Sequence, residues 1–532
     1  MTLKGVLNSA IALSNKRWVL PLAILIAVSF RVSYEVQFND FSIDKSFQVF
    51  AAKEIDNGNG CVVRYANTED LSSPNFHSLL GYTQAYSYLI SVFTPYFSYS
   101  SATFIIDSIM IVLLLYSIIA ILKLLDISRA RRSLYLLLLA ILVSPFNILS
   151  STDLIVTSLV MLNVLAVLTL YLKQSDSFKS IGTNILLISI LSFLPLLFKI
   201  SAFPWTFLGL IGLIIIAIIK RRKIYATAGL ISLILSGLFS YISFYFLPYF
   251  PKSKFTERGF FPEHLLSIDP FPIKALWDID SYLNALINPT IIQVTFVIAS
   301  ILLLGVIVIL IKQWKGKNEF QMLSIFLGLT TASTVLIVGF LSLLSVSTPN
   351  EIVLGSHWTF LEETRYYGPV MIMIQLAVFI IAVNQKVRQR VRLFFKSVLI
   401  SMFIINGLFF FKQNLNLLDG NGSKYTYNWN YTEELQICDV INSEGEINSI
   451  IIYASTVSNN PAFVVANSKV NSLLFSSLEV SSELNSSGPV NLFLNCDQKS
   501  FEKINDLHNF EDYSLLLALN KSNLYKIRIN CK

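Results

Sequence analysis

WVLPLAILIAVSF at residues 18–30 is followed by FNDFSIDKSFQVFAAKEIDNGNG at residues 38–60. The first stretch is apolar enough to enter a bilayer. The second carries Asp40, Asp44, Lys45, Lys53, Glu54 and Asp56 and cannot continue into one. After it comes NFHSLLGYTQAYSYLISVF (75–93), rich in tyrosine, and the next spanning run begins only near residue 102. The chain therefore enters the membrane, leaves it over residues 31–101, and then returns. A simple transporter joins its first two spans by a short loop. A long, carboxylate-bearing first loop points instead to chemistry at the membrane surface.

Composition agrees with a membrane protein. The 532 residues are 54% hydrophobic and 14% charged, with a mean hydropathy of +0.62. Soluble domains carry about 25% charged residues. Hydrocarbon offers no water to backbone groups, so only helices or a closed barrel can span it. The apolar runs are long and continuous rather than alternating over short strands, which selects helices. Eleven candidate spans follow, at about 17–31, 102–123, 132–149, 153–172, 181–198, 202–219, 225–247, 291–311, 322–346, 368–384 and 393–411. The expected fold is an all-α polytopic membrane module over residues 1–411. Its larger outer loops are 31–101, 248–290 and 347–367.

Charge orients the spans. With the N-terminus in the cytoplasm, the inner segments hold 21 of the 40 Lys and Arg residues but only three of the 33 Asp and Glu residues. That asymmetry is the positive-inside signature. It places the C-terminus outside the cytoplasmic membrane. It also accounts for the basic pI of about 9.0 without a nucleic-acid partner, since cytoplasmic basic loops meet anionic lipid head groups. Cys61, Cys438, Cys496 and Cys531 all fall on the outer side, where disulfides are permitted. Cys438–Cys496 and Cys496–Cys531 are the candidate bridges within the tail. All four histidines lie outside as well, so a mid-bilayer histidine proton relay is excluded.

Residues 412–532 form an extracytoplasmic tail long enough for one small domain. SIIIYAS (449–455), NSLLFSS (471–477), VNLFLNC (490–496) and NLYKIRIN (523–530) predict strands, and TEELQICDVI (432–441) and SFEKINDLHNF (500–510) predict amphipathic helices. Their alternation predicts a small α/β layer domain.

In the first loop, Ile43, Phe47, Phe50, Ala51 and Ile55 recur at helical spacing, with Ser42 and Asp44 at the start and Gly58 and Gly60 as the stop. The pattern predicts an amphipathic helix lying on the membrane surface. Asp44 alone reads equally well as a charge favoured by the helix dipole.

Taken together, span, FSIDKSFQVFAAKEIDNGNG and aromatic helix resemble the opening of the GT-C superfamily of membrane glycosyltransferases. The likeness is to the bacterial branch of aminoarabinose transferases and protein O-mannosyltransferases (glycosyltransferase family 39-like). There an Asp-Glu motif opens the first surface helix and a phrase like AA..L..G.G follows. Here Asp44 takes the acidic place and AAKEIDNGNG the continuation, while Lys45 stands where Glu is common and Asp40 is the substitute acid. The resemblance implies transfer of a sugar from a polyprenyl-phosphate donor to a glycan, lipid or protein acceptor on the outer face, by inverting single displacement. It casts Asp44 and Asp153 as catalytic carboxylates. It casts Lys199 in LLFKISAFPW and Arg365 in the Arg-Tyr-x-x-Pro phrase of ETRYYGPV as donor-phosphate ligands, with Tyr366 beside Arg365. A compact ammonium and a bidentate guanidinium both suit a phosphate.

Each residue also has a plainer reading. SSTD at 150–153 is a good helix cap. Lys199 and Arg365 can anchor spans at the interface. Asp107, about one turn inside its span, is a functional candidate or an acid reaching back to the interface. Glu362 with Glu363 and His357, and His264 with Glu263, could ligate a divalent metal. Two other functions compete with transfer: a flippase or transporter for lipid-linked glycans, and an oligosaccharide polymerase or ligase. The absence of an internal repeat speaks against the first. The single arginine, Arg258, in loop 248–290 speaks against the second.

Overall fold

The computed structural model describes residues 18–38, 43–67, 70–78, 84–128, 131–135, 151–173, 178–199, 207–246, 289–313, 368–385, 387–418, 431–444, 449–453, 461–470, 472–475, 486–510, 512–519 and 522–529, with a few isolated positions between. Fourteen helices among these residues are named here in chain order: α1 (Val19–Phe38), α2 (Ile43–Asp56), α3 (Ala85–Phe93), α4 (Tyr99–Leu124), α5 (Ser151–Lys173), α6 (Phe178–Phe198), α7 (Leu208–Ile219), α8 (Lys223–Phe246), α9 (Pro289–Gln313), α10 (Gly368–Val383), α11 (Gln389–Leu418), α12 (Tyr431–Ser443), α13 (Pro461–Asn467) and α14 (Gln498–His508). Seven strands join them: β1 (Val62–Tyr65), β2 (Asn75–Ser78), β3 (Ser449–Tyr453), β4 (Ser472–Phe475), β5 (Val490–Cys496), β6 (Tyr513–Ala518) and β7 (Asn523–Ile529).

The chain divides into two compact units. One comprises Met1–Val36 and Ile105–Lys412, the other Gln37–Phe104 and Gln413–Lys532. Four helices of the described residues are long and apolar enough to cross a membrane, over Tyr99–Leu124, Thr152–Leu170, Ile181–Phe198 and Lys223–Ile242. The protein is a multi-pass membrane protein. Helices also cover the expected spans near 17–31, 291–311, 368–384 and 393–411. The expected spans at 132–149 and 322–346 lie largely outside the described residues. Of the expected span at 202–219, α7 covers Leu208–Ile219, and residues 203, 204 and 206 lie outside the described residues.

The membrane unit packs through small and apolar residues. Met161, Val164 and Leu168 of α5, Leu210 and Leu213 of α7, and the almost wholly buried Met371–Ala382 stretch of α10 share one core. A Cβ at Gly209 would come within 3.0 Å of the Asn163 side chain, so glycine permits the close approach of α7 to α5. Ser236 of α8 donates to the Ser189 carbonyl of α6 at 3.1 Å, a polar tie between apolar helices.

The second unit is built on a seven-stranded sheet in the order β2-β1-β4-β3-β5-β7-β6. Its centre, β1-β4-β3-β5, is parallel, and β2, β7 and β6 add antiparallel flanks. All four strands expected in the tail form. The sheet is larger than expected for two reasons. YSLLLA, not among the strands expected from sequence, forms the edge strand β6 with largely exposed side chains. The first loop contributes β1 and β2, and Tyr65 of β1 pairs with Leu473 of β4. The loop 31–101 and the tail, read in sequence as a loop and a separate domain, thus share one hydrophobic core, in which Ala66 and Leu71 pack with Leu492, Leu494, Phe501 and Ile527.

The helix predicted at the head of the first loop forms as α2 and ends where Gly58 and Gly60 take φ of 83° and 82°, a conformation glycine adopts without steric cost. Its burial differs from that of a surface amphipath. Lys45, Ser46, Gln48 and Glu54 are as buried as Val49, Phe50, Ala51 and Ala52. The polar groups are accommodated by partners. Lys53 Nζ donates to the carbonyls of Val465, Ser468 and Val470 at 3.0, 2.7 and 3.1 Å. Glu54 accepts from Arg64 at 2.8 Å and from Asn59 at 2.7 Å. The apolar spacing set the helix; the buried polar partners, distant in sequence, set its surroundings.

The Cys438–Cys496 bridge does not form. Cys61, Cys438 and Cys496 are free and buried, and burial pushes the Cys61 and Cys496 thiols up to about 11 and about 12. Such thiols carry little thiolate and are poor partners for exchange. Cys531 lies outside the described residues.

Candidate functional site

Within the membrane unit, two helix ends of opposite polarity carry opposite charges. Asp153 sits in the first turn of α5, where the helix dipole favours an anion. Lys199 follows the last residue of α6, where carbonyls favour a cation. Its backbone N–H still reaches the Pro195 carbonyl at 3.0 Å, and its own carbonyl accepts from Ala202 N at 3.0 Å, so the chain turns sharply there. Pro195 inside α6 lacks the N–H that would bond Leu191. Lys199 Nζ lies 2.5 Å from Asp153 Oδ1, and each side chain is 9% exposed. The sequence placed these two residues on one face from topology alone; the structure joins them directly.

A buried ion pair is a demanding arrangement. Removing either partner strands a charge in a poorly solvated site. It is also a chemically apt one. An ammonium held at a helix end by a carboxylate is a compact cation that a phosphate can approach. Asp107 is fully buried on α4. Ser158 of α5 donates to the Met110 carbonyl of α4 at 2.9 Å, which brings α4 alongside α5 within a turn of Asp107.

Asp44 lies in the other compact unit, as the second residue of α2. One turn further on, Gln48 accepts from the Ser87 hydroxyl of α3 at 2.6 Å. Asp40, His264, Glu362, Arg365 and Tyr366 lie outside the described residues. Among the described residues, no three His, Cys, Asp or Glu side chains gather to hold a metal.

Fold and site together define a multi-pass helical membrane protein whose first loop and C-terminal segment build an α/β unit. Among solved structures, ArnT from Cupriavidus metallidurans bound to undecaprenyl phosphate is similar to this chain at 10% identity and a TM-score of 0.48, over 99% of this chain and 98% of that one. ArnT from the same organism in the apo state is similar at 10% identity and a TM-score of 0.43, over 91% and 93% of the two chains. No protein-family model matches the sequence. No curated protein matches it either.

Proposed function

We propose that this protein is a glycosyltransferase of the cytoplasmic membrane that moves a sugar from a polyprenyl-phosphate carrier to an acceptor hydroxyl on the outer face. The observation that carries the reading is the buried Lys199–Asp153 pair at adjoining ends of α5 and α6. The first-loop phrase FSIDKSFQVFAAKEIDNGNG and the basic inner loops support it.

The roles follow from charge. The donor is a phosphodiester with one negative charge. Transfer forms a bond from the acceptor oxygen to the anomeric carbon and breaks the bond from that carbon to the phosphate oxygen. The polyprenyl phosphate leaves with a second negative charge, and the acceptor's proton passes to a carboxylate. A cation beside the leaving phosphate therefore stabilises the transition state more than the ground state. Lys199 serves there, and Arg365 is its proposed companion. Asp44 takes the proton, with Asp153 holding the Lys199 ammonium in place. A divalent metal on the phosphate is an alternative source of the same stabilisation.

The test is transfer of radiolabelled sugar from undecaprenyl phosphate to envelope acceptors in proteoliposomes. Lys199→Met, Asp153→Asn and Asp44→Asn are each expected to cut the rate at least about 100-fold, the scale of one removed electrostatic or acid–base group. Wild-type transfer by a stably inserted Lys199→Met variant overturns the assignment.

A further inference from the structure

The turn that joins α7 to α8 reads KRRK at residues 220–223, four cations in succession with no acid among them. Basic turns orient membrane helices in general, so the charge by itself implies no bound partner. The backbone goes further. α7 closes in a Schellman motif: the Arg222 N–H reaches the Ala217 carbonyl at 2.8 Å and the Arg221 N–H the Ile218 carbonyl at 3.0 Å. Lys220 is the cap, and Arg221 beyond it takes φ of 55°. That slot is usually glycine, because a Cβ crowds the neighbouring carbonyl there. α4 ends the same way, with Asp126 at φ of 55° and Ile127 N–H on the Leu122 carbonyl at 3.0 Å. Aspartate tolerates the left-handed region. A long cation gains nothing from it.

A second conflict lies two residues on. Lys223 opens α8, where the helix dipole disfavours a cation. Local conflicts of this kind persist where a ligand or partner compensates them. The flanks of the turn point to which partner. Ile218 and Ile219 before it are 63% and 49% exposed, and Ile224 after it is 64% exposed. From Ile224 an exposed apolar line continues along α8 through Ile231, Ile234 and Leu238, on a helix long and apolar enough to cross a membrane. The Arg222 guanidinium lies over the Tyr225 ring at 5.9 Å, and Arg221 and Lys223 are exposed on either side of Arg222 in the chain.

We propose that the α7–α8 turn holds one anionic phospholipid, with its headgroup phosphate at Arg221 and Lys223 and an acyl chain along the Ile224–Leu238 line of α8. A soluble phosphate matches the cations but leaves the isoleucines against water. A zwitterionic lipid matches the isoleucines but brings a cation of its own to the turn. An anionic lipid meets both demands, and its charge offsets the dipole conflict at Lys223 and the repulsion among four neighbouring cations. The inference is independent of the proposed sugar transfer.

Native mass spectrometry and thermal unfolding of the full-length protein, delipidated in dodecyl maltoside, test this. The probes are dioleoylphosphatidylglycerol, dioleoylphosphatidylcholine and glycerol 1-phosphate. Wild type should retain phosphatidylglycerol saturably and unfold at a higher temperature in its presence, and the other two probes should produce neither effect. Arg221→Gly and Lys223→Gln each remove one cation and also relieve a local conflict, so without lipid each should unfold at or above the wild-type temperature. Each should bind phosphatidylglycerol about fivefold more weakly, the share of one basic residue beside an anionic surface. Arg221→Lys should bind as wild type does. Arg390→Gln, at an exposed arginine in the first turn of α11, should leave the affinity unchanged. Undiminished binding by both Arg221→Gly and Lys223→Gln, or equal retention of phosphatidylcholine, overturns the site, and the turn then only orients its helices. A fivefold loss in Arg390→Gln overturns it as well, since the attraction would then be spread over the whole surface. Displacement of the lipid by glycerol 1-phosphate would make the turn a soluble-anion site instead.

Discussion

At the scale of single residues, the Lys199–Asp153 pair decides most. Both side chains are nearly buried at the ends of apolar helices, so neither charge is stable without the other. Asp153→Asn and Lys199→Met should each cost about 3–5 kcal/mol of stability, the range for breaking one side of a buried pair. The double variant should cost less than the sum, because it strands no charge. Unfolding in mixed detergent, followed by circular dichroism, measures all three. Additive losses would mean that the two side chains act independently in the folded protein. This partnership was half legible in the sequence. Positive-inside counting put residues 153 and 199 on one face, but no pattern pairs two residues across separate helices.

Among elements, α2 is the one whose sequence reading was both right and incomplete. Apolar spacing and the two glycines predict a helix here, and it ends just before Gly58. Its destination was not predictable, because it is fixed by contacts more than 400 positions away. Lys53 inserts an ammonium among three carbonyls at the end of α13, where the helix dipole favours a cation. Those carbonyls replace the water the ammonium gives up on burial, a loss that lowers Lys53 to about 8 while the Glu54 carboxylate opposes the fall. Lys53→Met should leave the carbonyls orphaned at about 1–3 kcal/mol each. Hydrogen exchange should then rise in α2 and in residues 461–470 together, and Lys53→Arg should restore part of the protection. Exchange that rises in α2 alone would show that the lysine does not tie the two segments. The edge strand β6 teaches the complementary lesson. Its sequence, YSLLLA, looks like a core strand, and its exposure comes from its place at the edge of the sheet, which no local pattern encodes.

For the molecule as a whole, the informative fact is that one compact unit is drawn from both ends of the chain, with residues 105–412 between them in sequence. Span counting cannot reveal this, because it treats every excursion between spans as a local loop. A sheet whose β1 edge waits for β4 has high contact order and closes late. Asp70 is a second tie across that closure. Its carboxylate accepts from Ser72 Oγ at 2.7 Å, from Ser487 N at 2.9 Å and from Ser487 Oγ at 2.8 Å. The Ser487 backbone N–H, then the two serine hydroxyls, hold it down to about 2, against an ordinary 3.8. The sign follows directly. The folded state binds this proton less readily than the unfolded one, so the tie contributes fully above the ordinary value and is lost as pH falls through about 2. The wild-type protein should therefore protect residues 62–78 from hydrogen exchange better than Asp70→Asn at pH 6. That advantage, after correction for intrinsic exchange, should shrink below pH 4 and vanish near pH 2. A constant advantage across the range would mean that the two serines hold the segments together without the charge. A missing advantage at pH 6 would mean that strand pairing and the Lys53 tie alone join the first loop to the C-terminal segment.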